Sequence, residues 1–250
     1  MSELEQLQRQ LTERFVRAFS TYGLLEDDDH VLVGLSGGKD SLLLLELLAR
    51  RARIEHPRFR VEAIHVRMQN ISYETSTEYL EHFCQAEGVP LHVVTTQFEV
   101  GGQTCQSGRD ARRQKSPCFL CSWNRRKKMF NLAQQLGCNK IALGHHQDDI
   151  IDTTLMNLVF QGRFGTMPAR LKMKKMPITI IRPLCMIKET DIRRYAELRG
   201  FEKQVKLCPY EHASQRTNIR LLFEQMEQMN PEARSSLWKA LNTNGKMTEE

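Results

Sequence analysis

The residues with the clearest chemistry in this 250-residue chain form a short glycine-rich segment. It follows an apolar stretch at 31–35, precedes a leucine-rich stretch at 42–48, and consists of Ser36, Gly37, Gly38, Lys39, Asp40 and Ser41. The glycines permit a tight turn in which backbone N–H groups approach an anion closely. A following helix start adds free N–H donors and partial positive charge. The hydroxyls and Lys39 would add donors, and Asp40 could hold Mg²⁺. The pattern predicts a phosphate-binding loop whose spacing is not that of the Walker motif.

A second candidate segment follows the apolar stretch at 140–143 and consists of Gly144, His145, His146, Gln147, Asp148 and Asp149. Adjacent carboxylates at a helix start are stabilised by the helix dipole. Mg²⁺ usually takes one or two carboxylates, with phosphate oxygens and water completing its shell. Asp148 and Asp149 could therefore share a Mg²⁺ ion with Asp40, although an acidic first turn is also common on ordinary helices. We interpret the two histidines as a structural turn beside the nucleotide.

Cys118 and Cys121 form a C-x-x-C pair at a predicted helix start. The helix N-terminus and the basic residues at 125–128 favour the thiolate form. One such pair is compatible with a redox dithiol, half of a zinc site or part of an iron–sulfur site. The plausible distant partner is Cys208. Structural zinc sites take four protein ligands, whereas three thiolates suit a [4Fe–4S] cluster with one open iron, a departure from four-cysteine ligation.

The elements that must position these residues alternate between strands and helices. Apolar runs predict five strands, at 31–35, 61–66, 91–95, 140–143 and 178–181. Helical spacing predicts helices at 3–21, 74–87, 119–136, 148–160, 189–199, 214–228 and 231–241. This alternation predicts an α/β fold: a doubly wound parallel five-stranded sheet with helices on both faces, plus N- and C-terminal helices. Ligands bind at the carboxyl ends of the strands in such sheets, so the two segments and His65 should converge.

Composition and organisation give further expectations. We divide the chain into an N-terminal helix at 1–23, the α/β domain at 24–205, a C-terminal helical segment at 206–241 that carries Cys208, and a disordered tail at 242–250. The apolar fraction of 40% supports a sizeable core. No apolar run approaches the roughly 20 residues that span a bilayer, and the polar N-terminus fits no signal peptide. We therefore expect a cytoplasmic protein with no membrane partner, in which seven cysteines are unlikely to form disulfides.

The order of these motifs resembles one family. The S-G-G-x-D-S segment is similar to the PP-loop of ATP pyrophosphatases, which cleave ATP between the α- and β-phosphates. Together with the C-x-x-C helix, the Gly-His-His-x-Asp-Asp segment and the late Cys-Pro-Tyr at 208–210, it resembles the tRNA 2-thiolation enzymes. The similarity covers residues 25–222 and is strongest to the tRNA 2-thiocytidine synthetase (TtcA) family. Many of those enzymes carry a second C-x-x-C at the late position, and the 2-thiouridine branch carries terminal zinc fingers. This chain has neither.

The resemblance implies three cofactors: ATP, Mg²⁺ and a [4Fe–4S] cluster held by Cys118, Cys121 and Cys208. It implies adenylation of a pyrimidine C2 carbonyl of tRNA followed by sulfur transfer, most closely 2-thiocytidine formation in the anticodon loop. The sulfur donor would be a cysteine desulfurase or free sulfide, and a homodimer is common among relatives. We predict catalytic roles for Lys39, Asp40 and Asp149. The predicted ATP-binding residues are Leu35, Ser36, Gly37, Gly38, Lys39, Asp40, Ser41, His65, Gly144, Asp148 and Asp149.

Two basic runs flank these motifs. Residues 109–128 hold eight Lys/Arg and one acid, and residues 161–182 hold six Lys/Arg and no acid. Clustered positive charge beside a site suits a polyanion such as tRNA, although a solvated basic face is the plain alternative. The predicted tRNA-binding residues are Arg125, Arg126, Lys127, Lys128, Arg170 and Lys172.

Other functions stay open from the sequence. Another PP-loop enzyme, such as a tRNA 2-thiouridine synthetase, a tRNA-isoleucine lysidine synthetase or an amide-forming ligase, would share the phosphate loop. A persulfide mechanism would use one cysteine as sulfur carrier and no iron. From a different class, the chain could be a non-catalytic nucleotide- or RNA-binding module.

Overall fold

The computed structural model describes residues 2–69, 72–73, 77–97, 117–202, 206–207 and 215–249. The strands within these ranges are β1 (His30–Gly34), β2 (Arg60–Met68), β3 (Ser72–Tyr73), β4 (Leu91–Thr96), β5 (Lys140–Ala142), β6 (Arg170–Lys172), β7 (Thr179–Ile181), β8 (Lys206–Leu207) and β9 (Thr248–Glu249). The helices are α1 (Glu3–Tyr22), α2 (Lys39–Ala52), α3 (Glu78–Glu87), α4 (Pro117–Leu136), α5 (Gln147–Gln161), α6 (Glu189–Arg199), α7 (Gln215–Met229) and α8 (Ala233–Thr243).

The main sheet has the strand order β4-β2-β1-β5-β7-β6-β9. Its first five strands are parallel, with β1 between β2 and β5. The chain runs outward from β1 to β2 and β4 on one side and then to β5 and β7 on the other. The strand order therefore reverses between β1 and β5, which is where open α/β sheets bind ligands. The predicted α/β class and parallel arrangement are confirmed.

Alternating side chains of the central strands pack into two separate parts of the core, because successive residues of a strand face opposite sides of the sheet. Val31 and Val33 join the larger cluster, which also contains residues of α1, α2, α3 and α6. Leu32 joins a second cluster with Ile64 and residues of α4. The sheet is thus covered on both faces, and α4 is held against the face that carries Leu32.

The helix ends show why the sequence pattern located them well. Ser2 and Glu5 form the reciprocal hydrogen bonds of a capping box at the start of α1, at 2.7 and 3.3 Å. Gly200 ends α6 in the left-handed conformation, so the helix predicted at 189–199 has those bounds. The helix predicted at 74–87 is described from Glu78 onward, and residues 74–76 lie outside the described ranges.

Two expectations about the sheet and the C-terminus were wrong. The sheet has seven strands rather than five, because β6 pairs antiparallel with β7 and β9 pairs with β6. Both added strands are only two or three residues long and lie in polar segments, so they produce no apolar run. The tail expected to be disordered at 242–250 is ordered at 247–249: Met247 is 2% exposed, and its carbonyl accepts the Ala169 N–H at 2.7 Å.

A small second sheet carries the segment that precedes Cys208. In it, β3 and β8 pair antiparallel, with Leu207 opposite Ser72. Cys208 itself lies outside the described residues.

Among the helices that the structure describes, none combines the length and the apolar character needed to cross a bilayer.

Candidate active site

The phosphate loop is held by hydrogen bonds among its own residues. The Ser36 N–H donates to Ser41 Oγ at 3.1 Å, and the Gly38 N–H donates to Ser36 Oγ at 3.3 Å. The Ser41 hydroxyl donates to the Gly38 carbonyl at 2.9 Å. Gly37 has a positive φ of 83°, a conformation that few other residues adopt. The loop is therefore preorganised, with the first turn of α2 directly behind it.

A cavity of about 310 Å³ opens at the carboxyl ends of β1, β2 and β5. Its volume is near the lower end of the range for small-molecule sites, about 300–1,000 Å³. It is lined by Gly34, Leu35, Ser36, Asp40, Ser41, Ile64, His65, Val66, Arg125, Met129, Leu143, Gly144, His145 and Asp149. The structure thus brings parts of both predicted nucleotide segments and His65 together at the point where the strand order reverses. Gly38 and Lys39 of the first segment instead line a second cavity, which shares Asp40 with the first and also contains Glu189.

Gly144 lets the two segments touch. A Cβ atom at this position would lie 3.1–3.2 Å from the backbone of Asp40 and Ser41. Since those neighbours are backbone atoms, they have no flexible end that could move aside. The glycine therefore sets the distance between the segment after β5 and the start of α2.

The two adjacent carboxylates of α5 have different surroundings. Asp149 lines the cavity, accepts the His146 N–H at 3.2 Å and lies 3.4 Å from an Arg216 nitrogen. Asp148 is absent from the cavity wall: it accepts the Glu189 N–H at 2.7 Å and pairs with Arg234 at 2.8 Å. The structure places Asp149, and not Asp148, beside Asp40 in the cavity.

Lys39 takes part in an ion network that the sequence did not reveal. Its ammonium contacts the Asp40 carboxylate at 3.1 and 3.2 Å and Glu189 Oε1 at 3.1 Å. Arg220 of α7 pairs with Glu189 at 2.5 Å and with Asp152 at 2.9 Å. These partners are far apart in sequence, and a single acid at the start of a predicted helix, as Glu189 is, gives no signal beyond a favourable helix dipole.

His65 and His146 are buried in the site, and His145 is half-buried. The Nδ1 atom of His65 lies 2.8 Å from the Leu35 carbonyl, which fixes the ring on the cavity wall. Arg182 donates from Nε to His145 Nδ1 at 3.3 Å. Burial lowers the pKa of His145 to about 4, and the charge of Arg182 acts in the same direction. His145 is therefore neutral at physiological pH.

Helix α4 carries the cysteine pair and reaches the cavity. Cys118 is exposed, Cys121 is half-buried, and neither forms a disulfide. Arg125 lies four residues after Cys121, so the two residues share a helix face about 6 Å apart along the axis. Because Arg125 and Met129 line the cavity, the cysteine face of α4 continues toward the nucleotide site. Within the described ranges, no three His, Cys, Asp or Glu residues group as a metal site.

The predicted tRNA-binding residues lie on two elements, α4 and β6. Arg126 and Lys127 are exposed on α4, and Lys127 lies 5.3 Å from the ring centre of Trp123. Arg125 is instead half-buried on the cavity wall. In the second basic run, Arg170 and Lys172 lie on β6 with one residue between them; Arg170 is half-buried and Lys172 is exposed.

Arg182, which belongs to the same basic run, is buried. Its guanidinium donates to the Pro168 carbonyl at 2.5 Å, and burial lowers its pKa to about 10. Arg182 therefore supports His145 from inside the protein and is not available to a macromolecule.

These features define the class of the protein: an α/β nucleotide-binding fold with a PP-loop at the strand-order reversal. In agreement, the PP-loop domain family matches residues 4–223. The chain is 32% identical over 241 residues to the tRNA-cytidine(32) 2-sulfurtransferase 1 of Francisella tularensis subsp. novicida (strain U112), which covers 96% of this chain and 87% of the relative. It is 33% identical over 242 residues to the tRNA-cytidine(32) 2-sulfurtransferase of Bordetella avium (strain 197N), covering 96% and 74%.

The chain therefore belongs to the PP-loop family of the tRNA-cytidine(32) 2-sulfurtransferases, as the sequence motifs predicted. A solved structure of similar fold is the U34-tRNA thiolase NcsA from Methanococcus maripaludis with its [4Fe-4S] cluster. It superposes with a TM-score of 0.72 at 23% identity and covers 96% of this chain and 79% of that one. At this identity the likeness supports the fold.

Proposed function

We propose that this protein is an ATP-dependent tRNA sulfurtransferase that forms 2-thiocytidine in the anticodon loop. The observation that carries the proposal is the convergence of three parts at one cavity: the preorganised phosphate loop, Asp149 and the cysteine-bearing helix α4. A phosphate loop alone would serve any PP-loop enzyme. The cysteine pair at the start of a helix that lines the same cavity favours sulfur chemistry over the use of an amine.

The first step would be attack of the pyrimidine C2 oxygen on the α-phosphate of ATP, with pyrophosphate leaving. Negative charge then develops on the α-phosphate and on the leaving group. The N–H groups at the start of α2, the Ser36 and Ser41 hydroxyls and the Lys39 ammonium would stabilise it. Leu35 and His65, which also line the cavity, would bound the adenosine. A sulfur nucleophile would then add at C2, and AMP would leave.

The donor set on the cavity wall fits Mg²⁺. Asp40 and Asp149 both line the cavity, and Mg²⁺ commonly takes one or two carboxylates together with substrate phosphates and water. When bound, the ion neutralises phosphate charge. Asp148, which binds Arg234 and the Glu189 N–H, acts in this proposal as a support for α5 rather than as a ligand.

The cysteine pair fits a cluster site at the start of α4. Cys118 and Cys121 are one turn apart and carry no disulfide. Cys208 is the proposed third ligand. A [4Fe–4S] cluster held by three thiolates supplies an iron with an open position that can carry sulfur. The proposed sulfur source is a cysteine desulfurase or free sulfide.

The proposed tRNA contacts begin at α4. Arg126 and Lys127 are exposed beside Cys118 and can contact phosphates, while Trp123 offers an aromatic surface.

We further propose a cytoplasmic location, where tRNA is modified. A homodimer is also proposed, with the exposed apolar residues of α5 and α7 as its interface: Leu158, Val159, Phe160, Leu221, Leu222, Met226 and Met229. Light scattering of the purified protein tests the dimer directly.

The test of the function uses protein purified without oxygen, with ATP, Mg²⁺, sulfide and unmodified tRNA. We expect about four iron and four acid-labile sulfide atoms per chain and 2-thiocytidine detected by mass spectrometry of the digested tRNA. Lys39→Ala should lower pyrophosphate release about 100-fold and retain the iron. Cys118→Ala should lose the iron and the thiolated product but still bind ATP.

Cys138→Ala is the matched control, because this thiol is buried between α4 and the sheet and should leave both iron and product unchanged. Thiolated tRNA formed by Cys118→Ala at the normal rate would exclude a ligand role for the cysteine pair. Pyrophosphate release with an amine product would identify another PP-loop enzyme, and no release with any tRNA would favour a non-catalytic module.

A further inference from the structure

In the described part of the chain, the Lys39 ammonium contacts two acids. One is Asp40, its neighbour in the phosphate loop, and the other is Glu189 of α6. The Nζ–Oε1 distance is 3.1 Å, equal to the shorter of the two distances from Nζ to the Asp40 carboxylate. The Lys39 side chain is 19% exposed and the Glu189 side chain 16%. The contact joins residues that are 150 positions apart, so it depends on how α6 packs beside α2.

The Glu189 carboxylate is itself fixed in place. Its Oε2 atom accepts from Arg220 at 2.5 Å, and its Oε1 atom lies 3.4 Å from an Arg193 nitrogen. Its backbone N–H donates to Asp148 at 2.7 Å. Arg220 is held in turn by Asp152, which is buried in α5. The carboxylate therefore has partners of its own besides Lys39, which fix where it meets the ammonium.

Glu189 is ionised under all conditions in which the enzyme would work. Burial raises its pKa, but the hydrogen bond and charge of Lys39 and the charge of Arg220 outweigh burial and lower the pKa to about 2. A permanent negative charge at this place has two opposing effects. It orients the ammonium beside the phosphate loop, and it competes with the phosphates of ATP for the same ammonium.

We propose that Glu189 is a positioning residue that holds Lys39 ready for the transition state of ATP cleavage. The proposal rests on the proposed function in that Lys39 contacts the phosphates. The charge on the phosphates is larger in the transition state than in bound ATP. An ammonium that is already oriented therefore stabilises the transition state more than it stabilises bound ATP. In the ground state, the carboxylate offsets part of the attraction between Lys39 and ATP. Glu189 therefore favours turnover at the expense of ATP affinity.

This gives a signature that a purely structural role would not give. In Glu189→Gln, the Kd for the non-hydrolysable analogue α,β-methylene-ATP with Mg²⁺, measured by calorimetry, should fall about threefold. The kcat for pyrophosphate release with tRNA should fall at least about tenfold. A weakened fold would lower both affinity and turnover. An unchanged or weaker affinity for the analogue, or an unchanged kcat, would overturn the proposal.

Two matched variants fix the interpretation. Asp191→Asn makes the same charge change in the first turn of the same helix, but Asp191 pairs with Arg14 of α1, so neither quantity should change by more than about twofold. In a Lys39→Ala background, Glu189→Gln should no longer change the Kd for the analogue, because the two residues act as a pair. The same affinity change with and without Lys39 would show that Glu189 does not act through it.

Glu189→Asp keeps the experiment decisive if the glutamine variant does not fold. It keeps the charge beside Arg220 but withdraws the carboxylate from Lys39 by one methylene. The kcat should fall at least about threefold, and the Kd for the analogue should fall by no more than in Glu189→Gln; wild-type turnover would overturn the proposal. The calorimetric experiments need only nucleotide binding, so a failure of tRNA thiolation would refute the proposed function and leave these results readable.

Discussion

The two helix starts that meet at the nucleotide cavity are held in opposite ways. At the start of α2, Ser36, Gly38 and Ser41 shape the loop by hydrogen bonds among themselves, and the Lys39 side chain reaches a distant partner, Glu189. At the start of α5, the acids are tied to distant cations: Asp149 to Arg216 and Asp148 to Arg234, both from the C-terminal helices. One side is a local structure that a short sequence motif encodes, and the other is assembled by tertiary packing.

The difference explains why similar acids have different roles. In the phosphate loop, the position of Asp40 follows from the turn itself. On α5, neighbouring aspartates point about 100° apart around the helix, and the surroundings decide which one faces the ligand. Arg234, anchored also by Glu227 at 2.8 Å, draws Asp148 away from the cavity and leaves Asp149 there.

The largest expected effect is a difference in turnover between variants of Asp149 and Asp148, the two adjacent acids of α5. Asp149→Asn should lower pyrophosphate release about 100-fold at saturating ATP, because it removes a charge from the cavity wall. Asp148→Asn should change the rate by less than about threefold and instead lower the free energy of unfolding by about 1–3 kcal/mol, since Arg234 loses a charged partner. Turnover assays and urea unfolding measure both. Equal losses of turnover in the two variants would refute the division of roles.

The contact between the two helix starts gives the second prediction. Gly144→Ala places a methyl group against the backbone of Asp40 and Ser41, so the phosphate loop must shift. We expect the KM for ATP to rise about tenfold and the free energy of unfolding to fall by about 1–3 kcal/mol. Gly165→Ala is the control, because a Cβ atom there meets only the flexible Arg163 side chain at 3.4 Å. If both variants behaved alike, the close approach at Gly144 would not be what spaces the two segments.

The smallest expected effect concerns the pH dependence of stability. The pKa of folded His145 is about 4, below the ordinary value of about 6.5, so the unfolded chain binds this proton first as the pH falls. Stability is therefore lost between about pH 6.5 and pH 4. This residue should account for about 1 kcal/mol of the loss between pH 7 and 5.5.

Urea unfolding without nucleotide or Mg²⁺ measures that loss. His145→Gln should reduce it by the stated amount, whereas His82→Gln, at an exposed position of α3, should not. An identical pH profile for His145→Gln and the wild type would mean that His145 is not held neutral by its surroundings.

Much of the fold could be predicted because its signals are local. The apolar runs located the five parallel strands, and caps such as Ser2 and Gly200 located helix ends within a few residues. The short strands β6 and β9 were missed because they lie in polar segments and produce no apolar run. Met247 is an isolated apolar residue near the C-terminus, and only its burial against β6 shows that the chain end is ordered.

The sequence by itself determined the class of fold, the phosphate loop and the presence of the cysteine pair. Each of these follows from local patterns, that is, from apolar runs, helical spacing or motifs of a few residues. Only the tertiary structure decided that Arg125 lines the cavity, that Asp149 rather than Asp148 faces it, and that Glu189 bonds to Lys39. The physical reason is that the rotation of a helix and its distance from its neighbours are set by packing against the sheet. Polar contacts between residues 41–150 positions apart, such as the Glu189 N–H to Asp148 and Lys39 to Glu189, then follow from that packing and leave no pattern in the local sequence.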